Sequence, residues 1–84
     1  MSNPNDLPLD WFKNVQFEKL SLPKNVAKPH WLTMNFDELL HRLKEEVQEL
    51  EDALSQGESM ENVISECADV SIFATMLAHK ARTS

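Results

Sequence analysis

The 84-residue sequence is poor in cysteine, glycine and basic residues, with Cys67 and Gly57 each the single example of its type. One thiol excludes a disulfide within the chain, and one cysteine with three scattered histidines lacks the ligand spacing of a structural zinc site. Eight Lys and Arg against fourteen Asp and Glu leave a formal net charge of −6. That balance argues against general nucleic-acid binding, which needs basic residues to neutralise phosphates. No apolar run approaches the roughly 20 residues that cross a bilayer, and MSNPNDLPLD has no basic region followed by an apolar one. No membrane association is therefore expected, and a reducing, cytoplasmic location is. A chain this short buries only about 60% of the surface its unfolded form exposes. With disulfides and zinc set aside, self-association is the remaining support for so small a core, and a homodimer or homotetramer is expected.

What the chain does contain reads as one all-α domain over residues 1–84, a short helical bundle completed by oligomerisation. Residues 1–8 are expected to be irregular. Leu9 to Leu20 reads as a short helix with Trp11, Val15 and either Phe12 or Phe17 on its apolar side. Residues 21–34 form a connector, because Pro23 and Pro29 bias Leu22 and Lys28 away from helical geometry. Residues 35–82 carry two helices. Asn35 can cap the first, Glu38 lies three residues on, and Met34 and Leu39 occupy the staple positions. Leu40, Leu43, Val47, Leu50 and Leu54 recur at steps of three and four, which predicts the stripe that packs in the core. Gly57 marks the stop, and Ser59 caps a second helix from Met60 to about Arg82. That helix is apolar around most of its circumference, so two partners are expected for it: the preceding helix and its own copy in a second subunit.

The acids are the chemically distinctive feature. Glu45, Glu46 and Glu49 form E-E-x-x-E on one helix, and Glu66 and Asp69 form E-x-x-D on the next. Residues three and four apart share a helix surface, so two packed helices can gather these carboxylates into one volume. At about 100° per residue, Glu46 lies roughly 70° from the centre of the leucine stripe, Glu49 roughly 130° and Glu45 roughly 170°. Glu45 is thus the most solvent-directed of the three. Glu66 aligns with Val70, Phe73 and Leu77, an apolar face where an unpaired carboxylate is costly. Asp69 lies beside Phe73 and Met76. Carboxylates at this density repel unless cations hold them, and an all-oxygen set suits Mg²⁺ or Mn²⁺ better than zinc or copper. Magnesium in turn points to phosphate-ester chemistry.

Over residues 36–81 the two motifs, with Leu43, Leu50, Ala53 and Leu54 around the first and Ala68 and Val70 around the second, resemble the MazG-like, all-α nucleoside triphosphate pyrophosphohydrolases. The resemblance implies hydrolysis of a nucleoside triphosphate to the monophosphate and pyrophosphate. It implies Glu46, Glu49, Glu66 and Asp69 as metal ligands, with Glu45, Glu46 and Glu49 in the catalytic set and Glu45 as a further ligand or the group orienting the attacking water. Upstream, K24-N25-V-A-K28-P-H30-W31-L32 is similar to a basic, Trp-containing element of small phage and bacterial members. This similarity implies substrate contacts from Lys24, Asn25, Lys28 and Trp31, the lysines toward phosphate and the tryptophan toward the base. Typical members continue into another helix, whereas this sequence ends at Ser84. Residues finishing the nucleotide pocket are then expected from a neighbouring subunit or the N-terminal segment, or are missing. Two other readings stay open: a non-catalytic helical interaction module whose acids form a solvated face, and a metal and nucleotide binder without catalysis.

Overall fold

The computed structural model describes residues 6–22 and 29–84. Helix α1 spans Leu9–Leu20, a 3-10 turn spans Pro29–Thr33, α2 spans Phe36–Ser55 and α3 spans Met60–Arg82, with no strand among the described residues. The all-α expectation holds, and the helix limits agree with the cap and stop signals.

Those limits have identifiable chemical causes. The Asn35 Oδ1 accepts from the Glu38 backbone N–H at 2.8 Å while the Glu38 Oε1 accepts from the Asn35 backbone N–H at 3.3 Å, a complete capping box. Leu39, one residue further on, is fully buried. At the other end of α2, the Glu58 N–H donates to the Ala53 carbonyl (3.0 Å) and the Gly57 N–H to the Leu54 carbonyl (3.3 Å). This is the Schellman pattern, and it requires the left-handed backbone that Gly57 adopts at φ 65°. Ser59 Oγ then accepts from the Asn62 N–H at 3.2 Å to start α3. So tight a reversal returns α3 antiparallel along α2: Lys80 sits 5.4 Å over the Phe36 ring and Arg42 5.3 Å over the Phe73 ring.

The core face of α2 differs from the expected one. Its buried residues are Leu39, Glu46 and Ala53, seven apart, whereas Leu40, Val47 and Leu54 are 42%, 38% and 58% exposed. The contact line is therefore about 100° round the helix from the Leu40–Val47–Leu54 edge of the stripe. Leu43 and Leu50, half-buried, are shared between the two faces. Small side chains at the contact, Ala53 on α2 and Ala68 on α3, permit closer approach than leucines would. Within the chain, α1 also packs on α3. Phe12, Val15, Gln16 and Lys19 are the half-buried line of α1, while Trp11 and Phe17 face outward. Gln16 Nε2 donates to Ser71 Oγ at 2.6 Å and ties α1 to the middle of α3. Trp31 packs edge-on against His79 near the end of α3 (ring centroids 5.8 Å apart), and Leu32 is exposed. Among the described residues, no helix is long and apolar enough to cross a membrane.

Candidate metal centre

Because α2 and α3 run antiparallel from a tight turn, the E-E-x-x-E segment lies opposite the E-x-x-D segment. Glu46, Glu66 and Asp69 each contribute a carboxylate oxygen to a group whose atoms all lie within 4.8 Å of one another. Opposite oxygens of an octahedral magnesium shell are about 4.2 Å apart, so small side-chain adjustments suffice to enclose such an ion. Glu46 stands on the buried line of α2 and is 8% exposed. On α3, the Glu66 Oε2 is buried and has no hydrogen-bond partner. Asp69 accepts a hydrogen bond from Lys19 Nζ of α1 at 2.9 Å.

The electrostatics follow from that crowding. Burial is the main cause that raises the Glu46 pKa from 4.5 to about 7; the hydrogen bond to Glu49, the Glu49 charge and the Asp69 charge push the same way, and Arg42 opposes. Burial likewise raises Glu66, followed by the charges of Glu49 and Asp69; Lys19 opposes, and a hydrogen bond with Glu49 adds a smaller push upward. Each shift measures the cost of gathering ionised carboxylates with only monovalent side-chain cations nearby. An orphaned buried oxygen is costly in a native fold unless something cationic meets it. The donor set, all carboxylate oxygen, is that of a hard divalent cation.

The remaining expected site residues fall in different places. Glu49 is exposed at the edge of the group and acts on both Glu46 and Glu66 without joining the three clustered oxygens. Glu45 lies outside it, exposed, with its Oε1 3.1 Å from Arg42 Nη1 and 3.7 Å from His41 Nε2. Arg42 also reaches Glu46 Oε1 at 3.6 Å through Nη2. Lys24, Asn25 and Lys28 lie outside the described residues. Trp31 walls a groove of about 620 Å³ together with Phe17, Leu20, Ile72, Met76 and His79. On α3 that groove begins one turn beyond Asp69, at Ile72. Lys19 and Arg42, cations at the acids among the described residues, were not singled out in the sequence. For Lys19 a signal existed: Phe12, Val15, Gln16 and Lys19 are spaced by three, one and three, a single helix face with a cation at its end.

A family model described as phosphoribosyl-ATP pyrophosphohydrolase matches residues 15–83. The chain belongs to this family. The phosphoribosyl-ATP pyrophosphohydrolase match runs from Val15 in α1 past the end of α3, so it includes Lys19, Trp31 and all five acids. The family lies within the MazG-like all-α nucleoside triphosphate pyrophosphohydrolase superfamily, in agreement with the resemblance carried by the two motifs. Membership supports hydrolase activity on a pyrophosphate linkage of a nucleotide-like substrate. Neither among curated proteins nor among solved structures does the chain find a match.

Proposed function

We propose that the chain hydrolyses a ribo- or deoxyribonucleoside triphosphate to the monophosphate and pyrophosphate, with Mg²⁺ or Mn²⁺ held by Glu46, Glu49, Glu66 and Asp69. The observation that carries this is the Glu66 Oε2, buried and without a hydrogen-bond partner beside the oxygens of Glu46 and Asp69. A solvated acidic face does not bury an unpartnered carboxylate oxygen. When bound, the ion polarises a phosphoryl oxygen and makes an attacking water more nucleophilic.

The protein's own groups divide the remaining work. Glu46 and Glu49 belong to the catalytic as well as the ligand set, and as ionised carboxylates they would fix the ion beside the attacking water. Glu45 orients the water, after release from its pairing with Arg42. The apolar groove walled by Trp31 takes the base, close enough along α3 for the phosphates to reach Asp69. Lys24, Asn25 and Lys28 contribute phosphate contacts. Phosphoribosyl-ATP, the substrate in the family's description, carries the same triphosphate chain and belongs in the substrate set. The exposed Leu40–Val47–Leu54 edge is the surface for a second copy in a homodimer or homotetramer, and the location is cytoplasmic.

The test is a panel of ribo- and deoxyribonucleoside triphosphates and phosphoribosyl-ATP, incubated with the folded protein and Mg²⁺ and assayed for monophosphate. Turnover of at least one member is expected, and its loss in Glu66→Gln. A folded oligomer that turns over none of them rules the proposal out.

A further inference from the structure

Lys19 reaches the acid group from α1, and nothing in the pyrophosphohydrolase reading gives it a part. Its Nζ lies 2.9 Å from Asp69 Oδ2, with the side chain only 18% exposed. The position is built: Gln16, on the same face of α1, is tied to Ser71 at 2.6 Å, two residues beyond Asp69. Among the described residues, the cations acting on these acids are Lys19 and Arg42, on different helices. Arg42 is braced, stacked over Phe73 and paired with Glu45 and Glu46. Lys19 differs in chemistry, because an ammonium is a compact charge on a flexible stem that can exchange one oxygen partner for another. A divalent ion held by Asp69 would bring a second, larger positive charge against that ammonium. A phosphate arriving with the ion offers the ammonium a new anion within reach of its stem.

We propose that Lys19 is a displaceable counter-ion: it neutralises Asp69 while the acids hold no divalent cation, and transfers to a substrate phosphate oxygen once metal and nucleotide are bound. This rests on the acids being a metal centre. It makes Lys19 a competitor of the metal alone and an ally of the nucleotide, two effects of opposite sign. A lysine that merely glues α1 to α3 has neither.

The experiment is a Mg²⁺ titration of the full chain without nucleotide, followed by thermal unfolding, for wild type, Lys19→Met and Lys19→Arg. Methionine keeps the apolar stem and removes the charge; arginine keeps the charge. Lys19→Met is expected to bind Mg²⁺ about tenfold more tightly, and Lys19→Arg to stay within about twofold of wild type. In turnover of the best triphosphate, Lys19→Met is expected to raise KM about tenfold with a smaller change in kcat. Unchanged or weaker Mg²⁺ binding by Lys19→Met overturns the assignment while leaving the metal centre standing. A wild-type chain that shows no saturable response to Mg²⁺ removes the metal centre and this assignment together. Should Lys19→Met not fold, the Cε–Hε resonance of Lys19 in the wild type carries the test: it must shift as Mg²⁺ saturates, and a resonance that stays fixed overturns the assignment.

Discussion

Replacing Glu66 by leucine should do opposite things to the protein with and without metal. Without metal, the Glu66 Oε2 is buried and unpartnered, and both Glu49 and Asp69 repel its charge. An unsatisfied buried polar group costs about 1–3 kcal/mol, so removing it should stabilise the metal-free fold by about that much. For a domain of this size each kcal/mol moves Tm by about 4–8 °C, so a rise of at least about 4 °C is expected. Mg²⁺ at a hundred times its Kd adds about 2.7 kcal/mol to the wild type. The variant, lacking one of the three clustered ligands, should gain little. Differential scanning calorimetry of both proteins in EDTA and in saturating Mg²⁺ reads all four values. A variant that melts below wild type in EDTA refutes the argument from burial. One that keeps the full Mg²⁺-dependent rise refutes Glu66 as a ligand.

Other outcomes follow from the same geometry. The folded Glu46 carboxyl, raised from 4.5 to about 7, binds more protons than the unfolded one between those values, so metal-free stability should fall as pH rises through that window. The fall should reach up to about 3 kcal/mol, Glu66 should add in the same direction, and saturating Mg²⁺ should flatten the slope in urea-unfolding midpoints measured across the range. Gly57→Ala should cost about 1 kcal/mol from the backbone alone, since φ is 65° and nothing lies within 4 Å of an added Cβ; an unchanged Tm contradicts the helix-stop role. Val47→Glu, on the exposed edge of α2, should leave helicity by circular dichroism intact while reducing the oligomer to monomers in sedimentation velocity. A wild type that is already monomeric removes the self-association proposal.

The helix ends were legible because their causes are local. Asn35 with Glu38, Gly57, and Ser59 act through hydrogen bonds that span three to five residues, and such signals survive without knowledge of the fold. The facing of α2 was not legible. Its leucines repeat at helical spacing on either side of the true contact, and the buried line Leu39–Glu46–Ala53 has a carboxylate at its centre, which hydropathy counts as surface. Glu66 was legible as the costly acid, because its own helix surrounds it with Val70, Phe73 and Leu77. Its cationic neighbour was not. Lys19 arrives from α1, separated from Asp69 by 50 residues of sequence, and only packing puts it there. Trp31 was legible as an aromatic of the connector, but its contact with His79 and the groove beside it depend on where the 3-10 turn meets the end of α3.

The most direct measurement is the phosphorus balance of a single reaction: the preferred triphosphate with Mg²⁺, followed by ³¹P NMR. Cleavage of the α–β linkage at the proposed site of Glu46, Glu49, Glu66 and Asp69 predicts nucleoside monophosphate and pyrophosphate in equal amounts, with no orthophosphate and no nucleoside diphosphate. It also predicts that Glu49→Gln and Glu66→Gln, folded by circular dichroism, produce neither. Nucleoside diphosphate with orthophosphate, or undiminished turnover by either variant, would contradict it.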